Sequence, residues 1–205
     1  TRLHLTFLFL TPLILFFSDL NAAPIIQPSA PGSESVEIDE ISAIKIADTS
    51  YIEHDVNFLQ QMIVHHEQAL TLSKLAPTRT NSSDILDLAG KIELSQADEI
   101  EFMKSWLIER EEDIQGTLHH HGGMMNMAGM ATPLQIEELS TFRGVNFDSF
   151  FLKLMINHHD GAIKMVDDLR NQPGSAYDEV LNEFISDIIN DQEIEIEVMN
   201  GLLIN

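Results

Sequence analysis

The chain writes the same short phrase twice. "MIVHHEQA" begins at Met62 and "MINHHDGA" begins at Met155, 93 positions later. At that same spacing Asp55 is matched by Asp148, Phe58 by Phe151 and Ala69 by Ala162. A second pair follows the first at an offset of 96: "QADEIEFM" from Gln96 and "QEIEIEVM" from Gln192. Apolar residues recur at helical spacing through four longer segments, near 53–76, 83–115, 146–171 and 176–203. Each half therefore reads as one helical hairpin with one apolar stripe. A lone hairpin leaves that stripe in water, whereas two hairpins bury theirs against each other. The expectation is an all-α fold, a four-helix bundle built from two repeated hairpins.

Two shorter helices are expected near 37–48 and 133–141. The second has a sound start, with Thr132 as N-cap, Pro133 at the first helical position and Gln135 closing a capping box. "PIIQPSAPGSES", residues 24–35, is Pro/Ser-rich without periodicity and reads as a linker. Upstream, Arg2, an apolar run from Leu5 to Phe17 and small residues at Ala22 and Ala23 have the layout of a secretory signal peptide. That run is shorter than the roughly 20 residues a membrane span needs. The expected organisation is a signal peptide at 1–23, a linker with a possible short helix at 24–50, and a duplicated bundle domain at 51–205 with a Met/His-rich loop at 116–131. The expected location is secreted or periplasmic, with no membrane association after cleavage.

The absence of cysteine excludes thiolate nucleophiles, zinc fingers and iron–sulfur clusters. A formal net charge of −22 repels nucleic acid and anionic lipid and concentrates cations near the surface.

In each copy the thioether stands three residues before the first imidazole. Met62, His65 and His66 thus share a helix face with Phe58 and Ala69, and Met155, His158 and His159 do the same. On the partner helices Gln96, Glu99 and Met103 fall at i, i+3 and i+7, again one stripe, repeated as Gln192, Glu195 and Met199. Di-iron bundles place Glu three residues before an inward His. Here those positions hold Met62, Ile63, Met155 and Ile156. Thioether with imidazole suits copper, above all Cu(I), better than iron, magnesium or calcium. Nor is there an HExxH pattern, so zinc hydrolase chemistry has no support. A single buried Met more often fills a gap in a core, and a single inward His is often just hydrogen-bonded. Two Met-x-x-His-His phrases in register favour a metal site. Glu99, Met103, Glu195 and Met199 are candidate ligands, or the carboxylates orient the imidazoles. "HHHGGMMNMAGM" between the halves adds His119, His120, His121, Met124, Met125, Met127 and Met130, a composition that reads either as soft-metal binding or as a low-complexity tether.

"FLQQMIVHHEQAL", "QADEIEFMKSWL", "FDSFFLKLMINHHDGAIKM" and "GGMMNMAGM" resemble a secreted family numbered three-zero-five among domains of unknown function. The resemblance covers about residues 50–203. It implies a ferritin-like four-helix bundle, export, and copper binding through Met and His. By motif it implicates Met62, His65, His66, Met155, His158 and His159, with the loop as a further candidate. The cluster at His119 to His121 is a local departure from that pattern.

Three functions follow as expectations. The first is a non-enzymatic, exported protein that sequesters or carries copper, as Cu(I), Cu(II) or both, in exchange with a copper donor or acceptor protein. The second is a ferritin-like metallo-oxidase, for which Glu99 and Glu195 would supply carboxylates. The third is an interaction bundle whose polar interior only sets helix register.

Overall fold

The computed structural model describes residues 24–27, 35–39, 51–115 and 127–204. The described elements are strands β1 (Ile25–Gln27) and β2 (Val36–Ile38) and helices α1 (Glu53–Ser73), α2 (Ser83–Glu109), α3 (Pro133–Thr141), α4 (Val145–Arg170) and α5 (Glu179–Ile204), with a 3-10 turn at Ala76–Thr78 after α1. The chain divides into two units, Thr1–Ala47 and Asp48–Asn205.

In the first unit β1 and β2 pair antiparallel, Ile25 opposite Ile38 and Gln27 opposite Val36. β1 lies within the linker expected over 24–35, and β2 replaces the start of the helix expected near 37–48. β-branched Ile25, Ile26, Val36 and Ile38 favour a pleated ribbon over a helix. The remainder of that expected helix, like residues 1–23, lies outside the described residues.

Helices α1, α2, α3 and α5 begin where polar side chains take up orphan amides. Ser82 Oγ accepts from the Ile85 amide at 3.4 Å, and Thr132 with Gln135 forms the expected capping box. Asp55 is fully buried near the start of α1. Its Oδ2 accepts from the Ile52 amide at 2.9 Å and its Oδ1 from the Ala176 amide at 2.8 Å, which ties the α4–α5 connection to α1.

Helix α2 stops at Glu109, earlier than the periodicity to 115 predicts. The stop is a Schellman turn: the Glu112 amide donates to the Leu107 carbonyl at 2.9 Å and the Glu111 amide to Ile108 at 3.0 Å, with Glu111 at φ +58°. Glycine normally occupies that left-handed position, so "EREED" carries no visible stop. Glu111→Gly is expected to stabilise the fold by about 1 kcal/mol, read as a higher urea midpoint at unchanged m-value. An unchanged or lower midpoint would count against this turn.

α1 packs along α2, α4 along α5, and the hairpins join chiefly through α1 against α4. One core cluster combines Phe58, Leu59 and Met62 of α1 with Met103 and Trp106 of α2, Val166 and Leu169 of α4, and Leu181 and Ile185 of α5. A second combines Leu72 of α1 with Ile85 and Ile92 of α2, Phe151 and Met155 of α4, and Met199 of α5. The first half of α1 thus meets the second half of α4, and the reverse holds at the other end. α1 and α4 therefore run antiparallel about a pseudo-twofold axis. Helix α3 covers the second cluster with the fully buried Leu139. The histidine pairs lie between the two clusters, at the middle of the bundle.

Candidate metal centre

The inward stripe that buries Phe58, Met62 and Ala69 carries His65 and His66 inward with it, and α4 does the same for His158 and His159. All four imidazoles are fully buried. The His65 and His158 rings meet across the pseudo-axis with centroids 3.8 Å apart and planes inclined by 34°. His66 Nε2 lies 2.7 Å from Glu99 Oε2, and His159 Nε2 lies 2.6 Å from Glu195 Oε2. His65 Nε2 lies 2.9 Å from the Ala128 carbonyl, and His158 Nε2 lies 2.8 Å from the carbonyl of His65. Carbonyl and carboxylate oxygens accept only, so each Nε2 carries the proton and donates. A ring in its neutral form then presents Nδ1 as a bare lone pair. All four Nδ1 atoms are buried without a hydrogen-bond partner.

Burial, followed by the neighbouring His66, pushes the His65 imidazole down to about 3. Burial, followed by His65 and His159, holds His158 well below its ordinary value of 6.5. Both rings are therefore neutral at physiological pH, the form that ligates a metal. Along the α2–α5 seam, burial and the neighbouring Glu99, Glu195 and Asp187 carboxylates raise Asp191. Glu99 and Asp191 line one surface cleft there, and Glu195 and Asp191 line another.

A buried polar atom without a partner costs roughly 1–3 kcal/mol, and apolar side chains at these positions would avoid that cost. The buried amides of Gln96 and Gln192 are also incompletely satisfied. This partnerless polar band fits a group that supplies the missing partner. Imidazole nitrogen suits copper, zinc, iron and nickel.

The thioethers divide between the two ends of the bundle. Met62 and Met103 are fully buried in the first cluster, and Met155 and Met199 in the second. Each hairpin thus keeps its own pair of sulfurs, and it is the imidazoles that meet across the axis. Among the described residues no three His, Asp or Glu side chains form a ready-made cation cluster. His119, His120, His121, Met124 and Met125 lie outside the described residues. Met127 packs against the first cluster, and Met130 is half-buried in a pocket beside Gln68 and Leu134.

The sequence reading missed the Ala128 carbonyl and the residues that seat it, Gln68, Asn157 and Gly161. One signal was available: Gly161 stands within a helix where the first repeat has Gln68. A mid-helix glycine costs about 1 kcal/mol relative to alanine and asks for a reason.

The profile of the family described as "Domain of unknown function (DUF305)" matches residues 55–203. The chain belongs to this family. Solved structures with the same fold include a DUF305 protein from Streptomyces coelicolor, 29% identical, with a TM-score of 0.64 over 73% of this chain and 91% of that one. A DUF305 fragment from Deinococcus radiodurans is also 29% identical, with a TM-score of 0.65 over 75% of this chain and 97% of the fragment. CopM in its Cu(II)-bound form is 27% identical, with a TM-score of 0.56 over 73% of this chain and 95% of CopM. CopM has also been solved in Cu(I)-bound and Ag-bound forms. An uncharacterized protein of Acanthamoeba polyphaga mimivirus is 44% identical over 57 residues, which are 28% of this chain and 38% of the viral protein. No helix among the described residues is long and apolar enough to cross a membrane.

Proposed function

We propose that this DUF305 protein is an exported, non-enzymatic copper-binding protein that sequesters copper or passes it to a protein partner. The observation that carries the reading is the set of four buried Nδ1 atoms without a hydrogen-bond partner at the centre of the bundle. His65 and His158 present nitrogen from both hairpins, and Glu99 and Glu195 orient His66 and His159 from behind. The thioethers of Met62 and Met155, and the Met/His loop, are the further donors. The acidic clefts along α2 and α5 draw cations toward Glu99 and Glu195. The bound forms of CopM support copper as the ion. The carboxylates engaged with His66 and His159 favour a holding site over an oxidase centre.

The test is competition titration with Cu(I) and Cu(II), with zinc and iron as controls, on the wild type and on Met62→Leu/Met155→Leu. The expected result is copper binding, with Cu(I) affinity falling at least about tenfold in the variant, since these sulfurs are the soft donors. Equal affinities would remove the thioethers from the site. A wild type that binds neither copper ion would sink the reading. Oxygen uptake in the presence of Fe(II) or Cu(I) is expected to stay at background.

A further inference from the structure

The pseudo-twofold symmetry of the bundle breaks at one place beside the imidazoles. Gln68 and Gly161 occupy equivalent positions in the two repeats, and both face the backbone of residues 127–131. That segment is a tight turn: the Met130 amide donates to the Met127 carbonyl at 3.4 Å, with Gly129 at φ +77°. On one side Gln68 pairs with the backbone of Ala131 in both directions, its Nε2 donating at 3.0 Å and its Oε1 accepting at 2.6 Å. On the other side Asn157 Nδ2 donates to the Gly129 carbonyl at 3.0 Å. Gly161 lies directly beneath the turn, where an added Cβ would collide with the Ala128 carbonyl and with Gly129 Cα.

Among the described residues the turn acts on one histidine only. The Ala128 carbonyl accepts from His65 Nε2, whereas His158 finds its acceptor on the α1 backbone. A buried neutral imidazole has one proton for two nitrogens, and the acceptor decides which nitrogen holds it. Without the Ala128 carbonyl no other described acceptor fixes the proton of His65 on Nε2. A fraction of molecules would then carry it on Nδ1, and only the remainder would offer a lone pair there.

We propose that Gly161 and Gln68 are positioning residues: they seat the strap of residues 127–131 so that its Ala128 carbonyl fixes the His65 tautomer and leaves Nδ1 bare. The consequence for ion binding rests on the copper reading above, whereas the seating and the tautomer do not. Ion affinity would fall in proportion to the molecules holding the wrong tautomer. One glycine without a side chain thus connects the strap of residues 127–131 to the buried pair.

The test is imidazole 15N NMR with amide hydrogen exchange on the full chain, metal-free at neutral pH. In the wild type His65 is expected to show the Nε2–H signature, with protected amides at Met130 and Ala131. Gly161→Ala is expected to erase that signature for His65, leave it for His158, and speed exchange of the Ala131 amide by at least about tenfold. Alanine is the better helix former, so weakening of α4 itself would not explain this. Gly90→Ala is the matched control, because an added Cβ there meets nothing within 4 Å. Gln68→Leu is expected to give a smaller change of the same kind. A Gly161→Ala protein that keeps the His65 signature and the protected amides would overturn the proposal. So would simultaneous loss of both histidine signatures, which would mean general disruption of the core. A tautomer change in a chain whose wild type binds no Cu(I) would uphold the strap and sink the copper reading.

Discussion

Acidification from pH 7.5 to 4.5 is expected to cost the wild-type fold far more stability than it costs a His65→Leu/His158→Leu protein. Both imidazoles are neutral in the folded chain because burial depresses them, His65 to about 3 and His158 well below 6.5. In the unfolded chain they take up protons below about 6.5. The unfolded state then binds more protons than the folded one, so stability rises with pH across this window and falls as pH drops through it. The contribution of His65 is fully present above about 6.5 and is lost progressively toward 3, and that of His158 is lost in the same direction. A ring held neutral contributes about 1.4 kcal/mol per pH unit, so two units below 6.5 cost roughly 3 kcal/mol through His65, and His158 adds to the loss in the same direction. That is a large part of the roughly 5–15 kcal/mol by which a domain is stable. The net charge of −22 acts in the opposite direction, since protonating carboxylates relieves self-repulsion. Asp191 also favours the fold at lower pH, because burial and its acidic neighbours have raised it. The comparison with the double variant separates these effects. Urea midpoints at pH 7.5, 6.0 and 5.0 are expected to fall steeply for the wild type and to change little, or rise, for the variant. Parallel slopes would show that the pair does not hold its protons off as its burial requires.

The repeat made most of this architecture legible. Two copies at a fixed offset predict two hairpins, and the helical stripe predicts that Met62, His65 and His66 turn inward together. The capping box at Thr132 and Gln135 could be read from residue types alone. The Schellman turn at Glu111 could not, because a glutamate occupies the position that glycine normally marks. The β1–β2 ribbon escaped because three-residue strands are too short to show alternation against Pro and Ser neighbours. Two features of the site also lay beyond the sequence. Which imidazoles face each other depends on the antiparallel crossing of α1 and α4, and spacing within one helix says nothing about that. The choice of Nδ1 over Nε2 is made by acceptors distant in the chain: Glu99 for His66, Glu195 for His159, and a backbone carbonyl of the central loop for His65. A backbone carbonyl has no residue type, so only the unexplained glycine at 161 pointed to it.

The same double variant, His65→Leu/His158→Leu, is expected to lose Cu(I) affinity by at least about a thousandfold. A structural zinc ion gains roughly 10–16 kcal/mol shared among about four donors, a scale carried over here to Cu(I). Two donors therefore account for several kcal/mol, and each 1.4 kcal/mol is tenfold. Glu99→Gln/Glu195→Gln should cost less, about 10–100-fold, because those carboxylates act through the imidazoles they orient. The ordering of the two losses is the diagnostic result, and an equal or reversed ordering would place the ion on the carboxylates. Stability supplies an independent check. Replacing His65 and His158 removes two partnerless buried nitrogens, and leucine is close to histidine in volume. Without metal at neutral pH the double variant is therefore expected to be at least as stable as the wild type, although the Ala128 carbonyl loses its donor. Residues kept for packing destabilise a fold when replaced, whereas residues kept for binding often leave it as firm or firmer. A variant that binds copper normally but melts early would assign the pair to the core. One that melts late and binds nothing would assign it to the ion.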